Sequence, residues 1–148
     1  DGVGLFRWLS LKGMALKQIS ILGNGGSSMA ISSALKEKSI EITIFGRNEK
    51  GWEKKIGSYE DIKHWKRNGL TINTTPFEIN EPNVINIGYT FGNISEDAAG
   101  MLAFQGYEAA KNWVGNKLIT EELFVKNVFL HRSAQMNIFL ISKLAGLI

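Results

Sequence analysis

Gln18-Ile19-Ser20-Ile21-Leu22-Gly23-Asn24-Gly25-Gly26-Ser27-Ser28-Met29-Ala30 carries a strand pattern straight into a glycine-rich turn and then into a helical pattern. Glycines at the end of a strand let the backbone turn tightly and approach a pyrophosphate closely. The start of the helix then offers unpaired N–H groups and the positive end of its dipole. A unit built this way is a phosphate-binding device. Gly23, Asn24, Gly25, Gly26 and Ser27 are its candidate cofactor-binding residues.

Outward from this run the same alternation continues. Residues 2–12 place Leu5, Phe6 and Leu9 at helical spacing, and Gly13 follows as a stop. Residues 27–38 read as a helix with Met29, Ile31, Ala34 and Leu35 as its apolar positions. Residues 40–45 (IEITIF) are β-branched and nearly all apolar, which suits a parallel strand covered on both faces. Residues 49–67 are polar and charged, interrupted by Gly51 and Gly57, with a helix expected to end near Arg67. Residues 70–73 (LTIN) and 83–87 (NVINI) are a third and a fourth strand, and residues 95–114 a helix. Strands alternating with helices imply an α/β fold, a Rossmann-like doubly wound parallel sheet. Residues 1–117 are expected to form this domain, and 118–148 a helical tail. Within the tail, 120–132 and 134–147 are two apolar-rich helical patterns. The second is too short for a membrane span and carries Lys143, so it is expected to pack on protein, with a helix lying on a membrane surface as the minor alternative.

Composition narrows the function classes. The 148 residues suffice for one domain with a core, and 44% hydrophobic with 21% charged residues is ordinary for a soluble protein. A net charge of +3 is too small to argue for nucleic acid. With no cysteine, disulfides, thiol catalysis and cysteine-ligated metal are excluded. His64 lies among Lys63, Lys66 and Arg67, and His131 beside Arg132; both read as solvated. No pair of His, Asp or Glu has metal-ligand spacing, and no metal is expected. Trp8, Trp52, Trp65 and Trp113 are scattered and read as packing residues. The first apolar stretch is broken by Arg7, Ser10 and Lys12, so it is no signal peptide, and a cytoplasmic protein is expected. The chain begins at Asp1 rather than Met, which suits a piece of something longer.

The end of the second strand selects the cofactor. NAD-binding versions of this fold carry an Asp or Glu there, accepting hydrogen bonds from the ribose hydroxyls. Here Gly46-Arg47-Asn48 follows instead, and Arg47 stands 21 positions after Gly26. A guanidinium can clamp a 2′-phosphate with two hydrogen bonds and stack on adenine, so NADP is favoured over NAD.

Five segments occur in order: Asp1-Gly2-Val3-Gly4, Gly23-Asn24-Gly25-Gly26, Gly46-Arg47-Asn48, Asn73-Thr74-Thr75-Pro76 and Gly100-Met101-Leu102-Ala103-Phe104-Gln105. Together they resemble the cofactor-binding domain of shikimate dehydrogenase and its quinate-using relatives, over roughly positions 1–116. The resemblance implies roles by position. Asp1 matches the catalytic aspartate, which handles the proton of the oxidised hydroxyl with a lysine across the cleft. Gly23, Gly25 and Gly26 match the diphosphate loop, and Arg47 and Asn48 the segment reading the 2′-phosphate. Asn73, Thr74 and Thr75 match the segment lining the cofactor, and Gly100 a glycine near the nicotinamide. Tyr89 and Gln105 match substrate-binding residues.

The resemblance further implies hydride transfer between NADP(H) and shikimate or 3-dehydroshikimate, in aromatic amino-acid biosynthesis. It also implies a substrate-binding N-terminal domain that supplies the lysine, either in the missing N-terminal part or in a partner chain. Without it the chain is expected to bind cofactor and not turn over. Three segments depart from the family pattern. Phe77-Glu78-Ile79 stands for Val-Gly-Met, Thr90-Phe91-Gly92-Asn93 for a Pro/Thr segment, and Gly46 and Asn48 flank the arginine. Simpler roles stay open for single residues: Asp1 as a helix N-cap, Gln105 as a surface residue, Tyr89 as a strand-end core residue. Two other readings of the whole chain also stand. One is a non-catalytic dinucleotide-binding or interaction module. The other is a different NADP-dependent enzyme, such as a methylenetetrahydrofolate dehydrogenase or a glutamyl-tRNA reductase.

Overall fold

A computed structural model describes residues 2–36, 38–46, 51, 56–57, 69–88, 94–115 and 120–130. Its strands are β1 (Gln18–Leu22), β2 (Glu41–Phe45), β3 (Ile56–Gly57), β4 (Leu70–Asn73) and β5 (Val84–Asn86). Its helices are α1 (Gly2–Leu11), α2 (Gly26–Lys36), α3 (Glu96–Val114) and α4 (Glu121–Leu130).

The strands form one sheet in the order β3-β2-β1-β4-β5, and every pairing is parallel. The chain winds outward from β1 through β2 to β3, then returns to the other side of β1 for β4 and β5. This is the doubly wound order, and its reversal falls between β1 and β4. Alternation along the strands sends Ile19, Ile21, Ile44, Leu70, Ile72, Ile85 and Ile87 to one face. There they meet Leu5, Trp8 and Leu9 of α1, Ile31 and Leu35 of α2, and Met101 and Phe104 of α3. The other face carries Ser20, Leu22, Thr43, Phe45, Thr71 and Asn73, all buried. Ser20 is in register with both Thr43 and Thr71, which puts a row of hydroxyls across the three central strands.

The helices differ from the sequence reading in detail. In α2 the buried stripe is Ser28, Ile31, Ser32 and Leu35, while Met29 is 52% exposed and Ala34 half-buried. Two serines therefore take positions that hydrophobicity alone assigns elsewhere. In α1 the buried aromatic is Trp8, and Phe6 is only partly covered, with Lys38 Nζ 5.3 Å from its ring centroid. Trp8 donates from Nε1 to Asp97 Oδ1 at 2.8 Å, and Lys12 pairs with the same oxygen at 2.9 Å. Asp97 thus fastens α1 to the first turn of α3. That turn is capped by Ser95, whose Oγ accepts from Ala98 N at 3.1 Å and donates to Asn86 O.

Element boundaries shift by one or two residues. The strand expected at 40–45 starts at Glu41, the one at 83–87 spans Val84–Asn86, and the helix at 27–38 spans Gly26–Lys36. Within 49–67, read as polar and helical, Ile56–Gly57 forms the short edge strand β3, paired with Ile44 and Phe45. Two residues are too few to show a period of two. The pattern at 120–132 becomes α4, and the one at 134–147 lies outside the described residues. Among the described residues no helix is long and apolar enough to cross a membrane.

β4 and β5 are joined by residues 74–83 alone, with no helix. Parallel neighbours usually need a crossover of about a dozen residues or more, commonly helical. Here the backbone of the crossover is satisfied by side chains instead. Asn86 Nδ2 donates to Ile79 O and its Oδ1 accepts from Ile79 N, both at 3.0 Å.

Candidate functional site

The glycine loop stands where the strand order reverses. Gly23 N donates to Phe45 O at 2.8 Å and Thr74 N donates to Leu22 O at 3.0 Å, so both loops leave the sheet edge still hydrogen-bonded to a neighbouring strand. Gly23 has φ +95°, and a Cβ on it would lie 2.5 Å from Thr74 Oγ1. The backbone conformation and the space both demand glycine there. Gly25 and Gly26 differ: no atom lies within 4 Å of where their Cβ atoms would stand. The protein's own packing asks nothing of these two positions, and the surface above them is open. The first turn of α2, which starts here, holds no acidic residue. An open backbone cradle at a helix start without acidic residues suits a diphosphate. Ser27, next in the loop, is half-buried at that helix start.

Ser28, not singled out in the sequence reading, is fully buried and ties this loop to the next one. Its Oγ lies 2.6 Å from Gly23 O and 2.8 Å from Thr74 Oγ1, and Thr74 Oγ1 lies 2.6 Å from Leu22 O. Two hydroxyl protons serve three contacts. Thr74 Oγ1 donates to Leu22 O and Ser28 Oγ to Gly23 O, and the two hydroxyls lie against each other, so the pair joins the ends of β1 and β4 to the start of α2. The signal for Ser28 was present in the sequence. It is the small third position after Gly23 and Gly25, where close packing of helix on strand is required.

Asn24 reaches across to the end of β2. A Cβ on Gly46 would lie 2.6 Å from Asn24 Cγ, so the asparagine covers the point at which the chain leaves the sheet toward Arg47. On the other side, Asn73 is buried and uses its whole amide. Nδ2 donates to Phe77 O (2.5 Å) and Asn86 Oδ1 (2.8 Å), while Oδ1 accepts from Thr75 N (3.0 Å) and Thr75 Oγ1 (2.6 Å). Asn73 and Asn86 are register partners on neighbouring strands. Nothing in their spacing along the sequence announces that pairing.

Gly100 lies in the α1–α3 crossing, where a Cβ would strike the Trp8 indole. Gln105, also on α3, lines an open pocket of about 410 Å³ with Gly2, Gly4, Ala30, Ser33 and Glu108. Its Oε1 is buried without a hydrogen-bond partner. Asp1, Arg47, Asn48 and Tyr89 lie outside the described residues, as do His64, His131, Trp52 and Trp65. The structure thus brings Gly23, Thr74 and Thr75 together at the carboxyl end of the sheet, and sets Gln105 in a pocket of its own. Among the described residues no group of three or more His, Cys, Asp or Glu is placed to hold a metal ion.

No protein-family model matches the chain, and no curated protein matches it in sequence. Among solved structures, it is similar to a chorismate mutase/shikimate 5-dehydrogenase fusion protein from Clostridium acetobutylicum, with a TM-score of 0.68 and 21% identity. The match covers 90% of this chain and 60% of that one, so the chain spans about three fifths of the length of the protein it matches. At this identity the likeness is one of fold: the chain has a Rossmann-like doubly wound α/β fold of the kind found in that structure.

Proposed function

We propose that this chain is the NADP-binding part of an oxidoreductase similar to shikimate dehydrogenase. The observation that carries the reading is the glycine loop at the switch point. Gly23 is required by the fold, whereas Gly25 and Gly26 open onto free space at the start of a helix without acidic residues. The residues present fit a dinucleotide. Gly25, Gly26 and the first N–H groups of α2 would hold the diphosphate, and Arg47 would pair with the 2′-phosphate. Bound NADP supplies the hydride acceptor for a secondary alcohol.

The chain's own part is orientation and proton handling. Asp1 is assigned the proton relay with a lysine of the substrate domain that the resemblance implies. Gln105, which lines an open pocket, is assigned to the substrate as the resemblance implies, and that substrate belongs to the shikimate type. Turnover requires the substrate domain, so the chain alone is assigned cofactor binding.

Titration of NADP+ and NAD+ into the chain, beside Arg47→Ala, tests this. Hydrogen bonds to a charged group are worth about 1.5–3 kcal/mol. NADP+ is therefore expected to bind at least about tenfold tighter than NAD+, and the variant to lose that preference. Binding of neither nucleotide would overturn the reading and leave an interaction module.

A further inference from the structure

Phe77 is 77% exposed, yet its backbone is held fast. Phe77 O accepts from Asn73 Nδ2 at 2.5 Å, and two residues later both backbone groups of Ile79 are bound by the Asn86 amide at 3.0 Å. Ile79 packs on Leu22 and Phe45. On the other side of Phe77, Thr75 Cγ2 comes within 3.6 Å of the position a Cβ on Gly23 would take. An aromatic ring is thus displayed to solvent on an arch that is clamped by two strand-end asparagines and borders the glycine loop through Thr75. Loose loops often expose an apolar residue; a loop with this many side-chain hydrogen bonds holds one in a fixed place.

The arch belongs to the β4–β5 side of the switch point. In a doubly wound sheet the residue after β2 reads the adenosine ribose, so the other half of the dinucleotide falls on the β4–β5 side. We propose that Phe77 is a positioning residue for the nicotinamide half of the cofactor, against whose flat ring its phenyl packs. This inference rests on the dinucleotide reading above. A preorganised aromatic adds affinity because little freedom is lost when the ligand arrives, and ring-on-ring packing adds to the area buried.

The test titrates two ligands into the full chain: NADP+, and adenosine 2′,5′-bisphosphate, which lacks the nicotinamide half. Phe77→Ala is expected to weaken NADP+ by about fivefold to tenfold and to leave the bisphosphate unchanged, while Phe77→Tyr retains wild-type affinity for both. Because Phe77 is exposed, thermal unfolding of both variants is expected to match wild type. No loss for either ligand, or an equal loss for both, overturns the assignment while the dinucleotide reading stands. A wild-type chain that binds neither ligand overturns the dinucleotide reading, and this inference with it.

Discussion

At Gly23 a positive φ and a missing Cβ are both required, whereas at Gly25 neither is. The two glycines of one loop should therefore respond oppositely to alanine. In Gly23→Ala the methyl group meets Thr74 Oγ1 in a backbone region that L-residues avoid, and a cost of about 2 kcal/mol is expected from strain of this kind. Gly25→Ala points its methyl into open space, so stability should stay within about 0.5 kcal/mol of wild type. On the proposed reading its methyl occupies the approach of a diphosphate, and nucleotide affinity should then fall about tenfold or more. Urea unfolding paired with NADP+ titration separates the two effects. A Gly25→Ala chain that binds as tightly as wild type would remove the loop from the binding site.

At the scale of elements, β4 and β5 are joined without a helix, and the asparagines at their ends do what a helix backbone would otherwise do for itself. Asn73→Ala removes a buried amide and its four hydrogen bonds to part-buried or exposed partners, so about 2 kcal/mol of stability should be lost. The hydroxyls deeper on the same face behave differently. Thr43 Oγ1 and Thr71 Oγ1 are buried without partners, so Thr71→Val keeps the shape and removes a desolvated group. It should be neutral or stabilising by up to about 1 kcal/mol in the same unfolding experiment; a loss of stability would mean the hydroxyl has a partner.

This contrast also marks what the sequence could tell. The strands at 18–22 and 70–73 match their apolar runs residue for residue, because a buried parallel strand needs little beyond β-branched and aliphatic side chains. The glycine loop was legible because its demands are local. The Asn73–Asn86 clamp was not, since it exists only through the β4–β5 register. Nor was the serine-bearing stripe of α2, where small size matters more than hydropathy.

At the scale of the molecule, the open question is whether α4 belongs to the same cooperative unit as the sheet. Phe124 is fully buried against α3, in a small cluster with Val128, Ala103, Ala110 and Tyr107, whose ring meets it edge-on at 5.6 Å. Arg7 adds a polar tie, its Nη1 shared between Glu108 of α3, at 2.6 Å, and Glu121 of α4. The three side chains of that tie are more than a third exposed or nearly so, and Arg7→Met should cost only about 0.5–1 kcal/mol. Phe124→Ala removes the centre of the cluster, at a local cost of about 3–5 kcal/mol. Half-buried Val125 of α4 packs on both this cluster and the core formed by the sheet with α1, α2 and α3, but Phe124 belongs to the smaller cluster, so the loss should fall first on α4. Native-state hydrogen exchange of the variant is then expected to show α4 amides losing protection while β1 and β4 amides keep theirs. Equal loss in the strands would mean that packing through α3 makes α4 part of one cooperative unit with the sheet, whose boundary would then have to extend at least to Leu130.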